Sequence, residues 1–83
     1  MLGESNSMIS AFVLINCRFP LDISILEELK RLPSITNVYR TSGVYDIIVR
    51  ISDVTEEGLR KAVSGSINSI HDVNGTVTMI IAQ

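Results

Sequence analysis

The sequence predicts an α+β domain in which two helices cover one face of an antiparallel four-stranded sheet. Four segments rich in β-branched and apolar residues have the length of strands. Two segments between them repeat apolar residues at helical spacing. The resulting order is β-α-β-β-α-β, and two right-handed βαβ units interleaved in this order form the split βαβ, or ferredoxin-like, fold. The first and third strands are then expected at the centre of the sheet.

The first predicted strand covers residues 9–17, which are apolar and β-branched almost throughout. A helix is predicted over residues 21–32. Ser24, with Glu27 three residues later, has the pattern of a capping box at its start. Pro33 ends the helix, since proline removes a backbone donor and clashes with the preceding turn.

A hairpin is predicted in the middle of the chain. Residues 35–41 form the second strand, residues 42–43 the turn, and residues 44–52 the third strand. The Ser-Gly pair at the turn is typical of chain reversals, and the residues on both sides are rich in β-branched side chains.

The second helix is predicted to start after Thr55, a good N-cap residue followed by two glutamates in the first turn. Its apolar residues, from Leu59 to Ile70, follow the spacing of one helix face. Gly75 belongs to the next turn or opens the last strand, which is predicted over residues 76–82.

Both faces of the predicted sheet carry apolar side chains. A sheet with one face in water alternates apolar and polar residues, but Ala11, Val13 and Ile15 of the first strand alternate with Phe12 and Leu14. An exposed apolar patch of this kind usually marks an interaction surface. We therefore expect the bare face to pack on a second copy about a two-fold axis. The predicted interface residues are Phe12, Leu14, Ile48, Thr78 and Ile80.

The charge pattern argues against direct binding to nucleic acid. Seven lysines and arginines stand against nine aspartates and glutamates, for a net charge of −2. The basic residues are scattered, whereas DNA binding depends on a basic stripe along the phosphate backbone.

Several sequence features predict a single cytoplasmic domain without a cofactor. There is one cysteine, Cys17, so an internal disulfide is impossible. No apolar run approaches the roughly 20 residues of a membrane span, and no signal peptide is evident. His71 is the only histidine, which leaves little support for a metal site or for catalysis. Residues 1–8 are expected to be a disordered arm or an expression remnant, and residues 9–83 the domain.

Three segments resemble one family. They are residues 42–49 (SGVYDIIV), residues 73–81 (VNGTVTMII), and residues 26–33 (LEELKRLP) followed by Val38 and Tyr39. In this order they resemble the RAM domain, the C-terminal, effector-binding domain of Lrp/AsnC transcription regulators. Full-length members of that family also carry an N-terminal helix-turn-helix, and none of the three segments resembles one. The chain is therefore similar to a stand-alone RAM protein.

The resemblance implies a homodimer that assembles further, often into a ring of four dimers. It also implies an effector, typically an amino acid, bound in clefts between dimers. Direct DNA binding is not expected, and the protein is expected to act on transcription or metabolism indirectly. Its partners would be further copies of itself or full-length Lrp/AsnC regulators.

The resemblance also carries over candidate effector-binding residues. An amino acid needs acceptors for its ammonium and donors for its carboxylate. The motif assigns Gly43, Tyr45, Asp46, Thr76 and Thr78, with Val44 through its backbone; Tyr39 and Thr41 are further candidates.

Each candidate also has a structural interpretation. Gly43 suits a hairpin turn, and Asp46 could pair with Arg50 or Arg40. The threonines are good strand formers, and Tyr45 could belong to the core or to an interface.

Two rival functions share this element order. A dimeric α+β-barrel monooxygenase, of the antibiotic-biosynthesis or haem-degrading type, pairs its sheets face to face and needs few polar residues. An ACT-like regulatory module also binds amino acids but pairs its subunits differently. The favoured prediction is an amino-acid-sensing, oligomeric regulator that is not an enzyme.

Overall fold

The predicted order of elements is confirmed by a computed structural model, which describes residues 8–18 and 23–81. Apart from Met8, the predicted N-terminal arm lies outside these residues. The elements in chain order are β1 (Ile9–Cys17), α1 (Ile23–Lys30), β2 (Ile35–Arg40), β3 (Ile47–Asp53), α2 (Glu56–Ala62), a π-helical segment (Val63–Ile67) that continues α2, and β4 (Val73–Ile80).

The four strands form one antiparallel sheet in the order β2-β3-β1-β4. This is the predicted ferredoxin-like arrangement, with β1 and β3 at the centre. A central strand has one face towards the helices, and because side chains alternate along a strand it needs apolar residues at every second position. The fully buried residues of the two strands are Ala11, Val13, Ile15, Ile47, Val49 and Ile51.

The core lies between the sheet and the two helices. Helix α1 contributes Ile25 and Leu29, while α2 and the π-helical segment contribute Leu59, Val63 and Ile67. No polar or charged side chain is buried among the described residues. The core is thus held together by apolar burial, which stabilises folding by about 25 cal/mol per Å² removed from water.

Helix α1 ends two residues earlier than predicted, and its predicted start at Leu21 lies outside the described residues. Ile23 before Ser24 is already helical, so Ser24 lies within the helix and not at the N-cap position. The helix ends at Lys30, and the N–H groups of Arg31 and Leu32 bond to carbonyls three residues earlier, at 3.2 and 3.1 Å. This tighter turn leads into Pro33, which cannot continue the helix.

The strands β3 and β4 begin at different places from those predicted. Strand β3 starts at Ile47 because the preceding residues bend towards the end of β1, where Asp46 donates its N–H to the Ile15 carbonyl at 2.9 Å. Strand β4 starts earlier, at Val73, because Gly75 pairs with Asn16 and stays within the strand.

The start of α2 follows the prediction and adds a second capping residue. The Thr55 hydroxyl accepts a hydrogen bond from the Gly58 N–H at 3.0 Å. One oxygen of the Asp53 carboxylate accepts from the N–H groups of Val54 and Thr55, at 2.6 and 3.3 Å. The first bond satisfies a backbone donor of the first helical turn, and the other two hold the N–H groups of the two residues that precede the helix.

The two glycines of this helix differ in their surroundings, which the sequence does not reveal. A Cβ added at Gly58 would overlap the carboxyl group of Asp53, whereas a Cβ added at Gly65 would meet nothing within 4 Å. Glycine at position 58 therefore leaves room for the Asp53 cap.

We expect Gly65→Ala to raise the free energy of unfolding by roughly 0.5–1 kcal/mol, because alanine is the better helix former. Gly58→Ala should not raise the free energy of unfolding in this way, because the added Cβ displaces the Asp53 side chain. Loss of that cap should lower the free energy of unfolding by about 1 kcal/mol. Urea unfolding followed by circular dichroism, at one protein concentration, compares the variants. Equal stabilisation by both substitutions would contradict the assigned role of Asp53.

Candidate functional site

One face of the sheet is not covered by the helices and carries a cluster of apolar side chains. Residues paired across an antiparallel sheet point to the same side. Phe12 pairs with Met79, and Leu14 pairs with Val77 and with Ile48. Tyr39 joins them through its pairing with Ile48. We call this surface the open face; its apolar residues are Phe12, Leu14, Tyr39, Ile48, Val77 and Met79.

The edge residues of the open face are substantially exposed in the single chain. Tyr39 is 52% exposed, Val77 43% and Met79 50%. Phe12, Leu14 and Ile48, in the two central strands, are half-buried. Six adjacent apolar side chains form the kind of patch that marks an interaction surface.

Two residues predicted on the open face are on the other side of the sheet. Thr78 pairs with Val13, and Ile80 pairs with Ala11, and both of these partners are fully buried under the helices. Assigning Thr78 and Ile80 to the bare face was therefore wrong. The residues that take their place are Val77 and Met79.

The correction to β4 has a simple physical reason. Side chains alternate along a strand, so the pairing register decides which set faces the helices. Along β4, apolar residues occur in both alternating sets, so the sequence does not decide which set faces the helices. The register is fixed by the pairing with β1, which shifts at a bulge between Asn16 and Cys17.

Most of the predicted effector-binding residues lie in the connection between β2 and β3, residues 41–46, here called the β2–β3 loop. Three hydrogen bonds of Asp46 hold this loop. Its N–H donates to the Ile15 carbonyl at 2.9 Å, and its carbonyl accepts from the Thr41 N–H at 3.0 Å. Its carboxylate oxygen Oδ2 accepts from the Cys17 N–H at 2.8 Å.

The Asp46 carboxylate is therefore fastened to backbone and not to an arginine. The ion pair with Arg50 or Arg40, considered from sequence, is not formed. Arg50 lies on the open face, where its guanidinium donates to the Ser10 hydroxyl at 3.4 Å. The other carboxylate oxygen, Oδ1, makes no hydrogen bond to any of the described residues.

The tip of the β2–β3 loop is exposed. Val44 is 87% exposed, and Gly43 beside it is also open to solvent. Gly43 does not have a positive φ, and a Cβ added there would meet nothing within 4 Å. The turn geometry of the single chain therefore does not require a glycine at this position.

Two further loop residues, Thr41 and Tyr45, stabilise its base. The Thr41 hydroxyl donates to the Tyr45 carbonyl. The Tyr45 side chain is half-buried, between the fully exposed tip and the buried start of β3 at Ile47. Thr41 and Tyr45 thus have structural contacts of their own, and they place the Asp46 carboxylate beside the end of β1.

The structure brings Thr76 to the same end of the sheet as Asp46. Thr76 pairs with Ile15, the residue whose carbonyl accepts from Asp46. Because β1 lies between them, the two are about 10 Å apart, or two strand spacings. The Thr76 hydroxyl donates to Oδ1 of Asn68 at 3.1 Å.

The other two candidates lie apart from these residues. Thr78 is two residues further along β4, about 7 Å away, and Tyr39 belongs to the open face. One chain therefore assembles Asp46, the loop tip and Thr76, but not all eight predicted residues.

Two contributors to the site were missed from sequence, namely the backbone N–H of Cys17 and the side chain of Asn68. Both are partners brought close by folding, over 29 and 8 residues respectively. Local patterning carries no signal for the first of these pairings. The loop is therefore held by a contact that only the sheet topology creates.

Within residues 8–18 and 23–81, no group of three or more histidines, cysteines, aspartates and glutamates is arranged to hold a metal ion. In the same part of the chain, no helix has the length and apolar character needed to cross a membrane.

Residues 10–83 match the family model of the Lrp/AsnC ligand binding domain. Among curated proteins, the HTH-type transcriptional regulator FL11 of Pyrococcus furiosus is 36% identical over 75 residues, which are 90% of this chain and 49% of that protein. The FL11 of Pyrococcus horikoshii is 35% identical over 73 residues. The chain thus spans about half the length of the curated relatives it matches.

Solved structures have the same fold. FFRP-DM1 superposes with a TM-score of 0.83 at 26% identity, covering 89% of this chain and 99% of that chain. TTHA0845 from Thermus thermophilus has a TM-score of 0.84 at 31% identity, over 90% and 94% of the two chains. The AsnC of E. coli has a TM-score of 0.84 at 26% identity, over 90% of this chain and 51% of its own.

The role of Asp46 in fastening the loop predicts unequal effects of two substitutions. Asp46→Ala removes the acceptor of the Cys17 N–H and should lower the free energy of unfolding by about 1–3 kcal/mol. Asp46→Asn keeps a side-chain oxygen that can accept, so most of the stability should remain. Urea unfolding at a fixed protein concentration measures both. An alanine variant as stable as the unaltered chain would contradict the assigned contact.

Proposed function

This chain belongs to the Lrp/AsnC ligand-binding domain family, and from that premise we propose that it is an oligomeric regulator that senses an amino acid. The proposal depends on one observation above all. The β2–β3 loop presents the Asp46 carboxylate and an exposed tip at one end of the sheet, and three hydrogen bonds hold it there.

The chemistry of this end of the sheet suits a zwitterion. Oδ2 of Asp46 is engaged by Cys17, which leaves Oδ1 to accept from an ammonium group. The backbone at Gly43 is exposed and has no side chain in the way, so its N–H groups can donate to a carboxylate. Thr76 supplies a hydroxyl at the same end of the sheet.

The site proposed here is completed by a second copy of the chain. Val44 is 87% exposed at the loop tip, and a small molecule bound beside it would remain largely in water. Ligand sites normally bury most of the ligand surface. A neighbouring dimer that packs on the loop would supply the missing wall, and effector binding would then change the stability of the assembly.

Asp46→Asn tests the ammonium contact, because it removes the charge while keeping an acceptor for Cys17. Isothermal titration calorimetry against each of the twenty amino acids, first on the unaltered chain, identifies the effector. We expect the variant to bind it at least tenfold more weakly, or about 1.4 kcal/mol, with an unchanged oligomer mass. Asp72→Asn, a half-buried carboxylate outside the loop, is the matched control.

Two results would count against this site. One is an intact protein that binds none of the twenty amino acids. The other is an Asp46→Asn variant with the affinity of the unaltered chain.

We further propose that two copies pack through their open faces as a dimer, and that dimers assemble into a larger ring. The support is the apolar character of the open face, whose central residues are Phe12, Leu14 and Ile48. Each large apolar side chain that leaves water contributes about 1.5–3 kcal/mol, so a face with six of them, doubled by symmetry, is a strong driving force for association.

Val77→Glu places a charge in the open face and should convert the dimer to monomers, since an unpaired charge buried in an apolar interface is costly. Val54→Glu, at a position 61% exposed before α2, should leave the mass unchanged. Light scattering coupled to size-exclusion chromatography measures both. Equal masses for the two variants would place the interface elsewhere.

The domain is proposed to act through assembly and not through chemistry or direct DNA contact. Its scattered basic residues and net charge of −2 give no surface for a phosphate backbone. We infer that it works in the cytoplasm, with further copies of itself or with full-length regulators of the family as partners. Family membership favours this role over the rival monooxygenase and the ACT-like module.

A further inference from the structure

A cavity of about 210 Å³ lies on the helix side of the sheet, between α2 and the turn that follows α1. Its accessible apolar surface comes from Leu32, Ile35 and Ala62, which are half-buried, whereas Ile51 and Ile67 behind them are fully buried. Leu32 and Pro33 belong to the turn on its other side. It shares no lining residue with the β2–β3 loop or with the open face. The proposed function makes no use of it.

The cavity exists because the two helices pack on different strands. Helix α1 packs on β2, whereas α2 packs on β3 and β1. Where α2 borders the gap, its lining residues Gly58 and Ala62 carry little or no side chain. The π-helical segment follows directly, with its Asn68 N–H bonded to the Val63 carbonyl five residues earlier at 2.8 Å, and π-helical turns occur often at functional sites.

Three polar side chains also line the cavity. Ser34 and Ser66 are half-buried, and their hydroxyls make no hydrogen bond to any described residue. Lys61 is the one charged residue of the lining, and its ammonium lies 3.5 Å from Glu57. That pair is highly exposed and therefore weak, so an anion in the cavity can compete with Glu57 for the Lys61 ammonium.

We propose that this cavity binds a short carboxylic acid with a branched apolar chain, as a second small-molecule site of the domain. The apolar chain lies against Leu32, Ile35 and Ala62, since small-molecule pockets are lined mainly by apolar side chains. The carboxylate lies at Lys61 and accepts from the hydroxyls of Ser34 and Ser66. None of the lining residues is acidic, although the Asp53 carboxyl group lies beside Gly58 and Glu57 pairs with Lys61.

The test uses 4-methylpentanoate as the probe and 4-methylpentan-1-ol as its neutral counterpart, on the intact chain. Ser66→Leu fills the cavity with an apolar side chain. Ser64→Leu makes the same change two residues earlier, at an exposed position outside the lining. Calorimetry, together with the melting temperature with and without the probe, reports binding, since a ligand held by the folded state raises that temperature.

We expect the unaltered chain and Ser64→Leu to bind the carboxylate, and Ser66→Leu to lose the binding with an unchanged or higher melting temperature of its own. Lys61→Gln should lower the affinity for the carboxylate by about threefold, which is the contribution of an exposed ion pair. The affinity for the alcohol should not change. Asp46→Asn should bind the carboxylate normally, which separates this cavity from the proposed effector site.

Any of four results would overturn the proposal. These are an intact chain that does not bind the carboxylate, a Ser66→Leu variant that binds it as well as Ser64→Leu does, a loss of binding in Asp46→Asn, and a Ser66→Leu variant with a changed oligomer mass. The last would identify the cavity as a contact between copies of the chain.

Discussion

The structure depends on the fact that its helices cover only one face of the sheet. In β1 this divides neighbouring residues into two sets, with Ala11, Val13 and Ile15 fully buried, and Phe12 and Leu14 left on the open face. The first set forms the core of the chain. The second stays at the surface of the single chain, where the proposed dimer would cover it. The same strand therefore builds the core and, in the proposed dimer, the contact between two chains.

The same strand also positions the candidate site. The end of β1 fastens the β2–β3 loop through the Ile15 carbonyl and the Cys17 N–H, and β4 brings Thr76 to the other side of it. Because Leu14 of the open face is next to Ile15, a ligand at the loop and a partner on the open face would contact neighbouring residues of one strand. Under the proposed function, a shift of this end of β1 would alter both surfaces.

Local patterns predicted the order of elements, the central position of β1 and β3, the Thr55 cap and the family, since each depends on residues close in sequence. Features set by pairing between distant segments were not predictable in the same way. The faces of Thr78 and Ile80 depend on the β1–β4 register and its bulge, and the partner of Asp46 is 29 residues away. Gly58 and Gly65 look alike in sequence, but only Gly58 faces a capping carboxylate. The candidate residues of the β2–β3 loop came from a motif, and the structure adds how they are held.

The central claim is that the open face is covered by a second copy of the chain in solution. Sedimentation equilibrium of the unaltered protein at micromolar concentration measures this directly, because the single chain has a mass of 9.1 kDa. The account predicts a mass of at least two chains. A single species of one chain's mass, with the six apolar side chains of the open face in water, would contradict it.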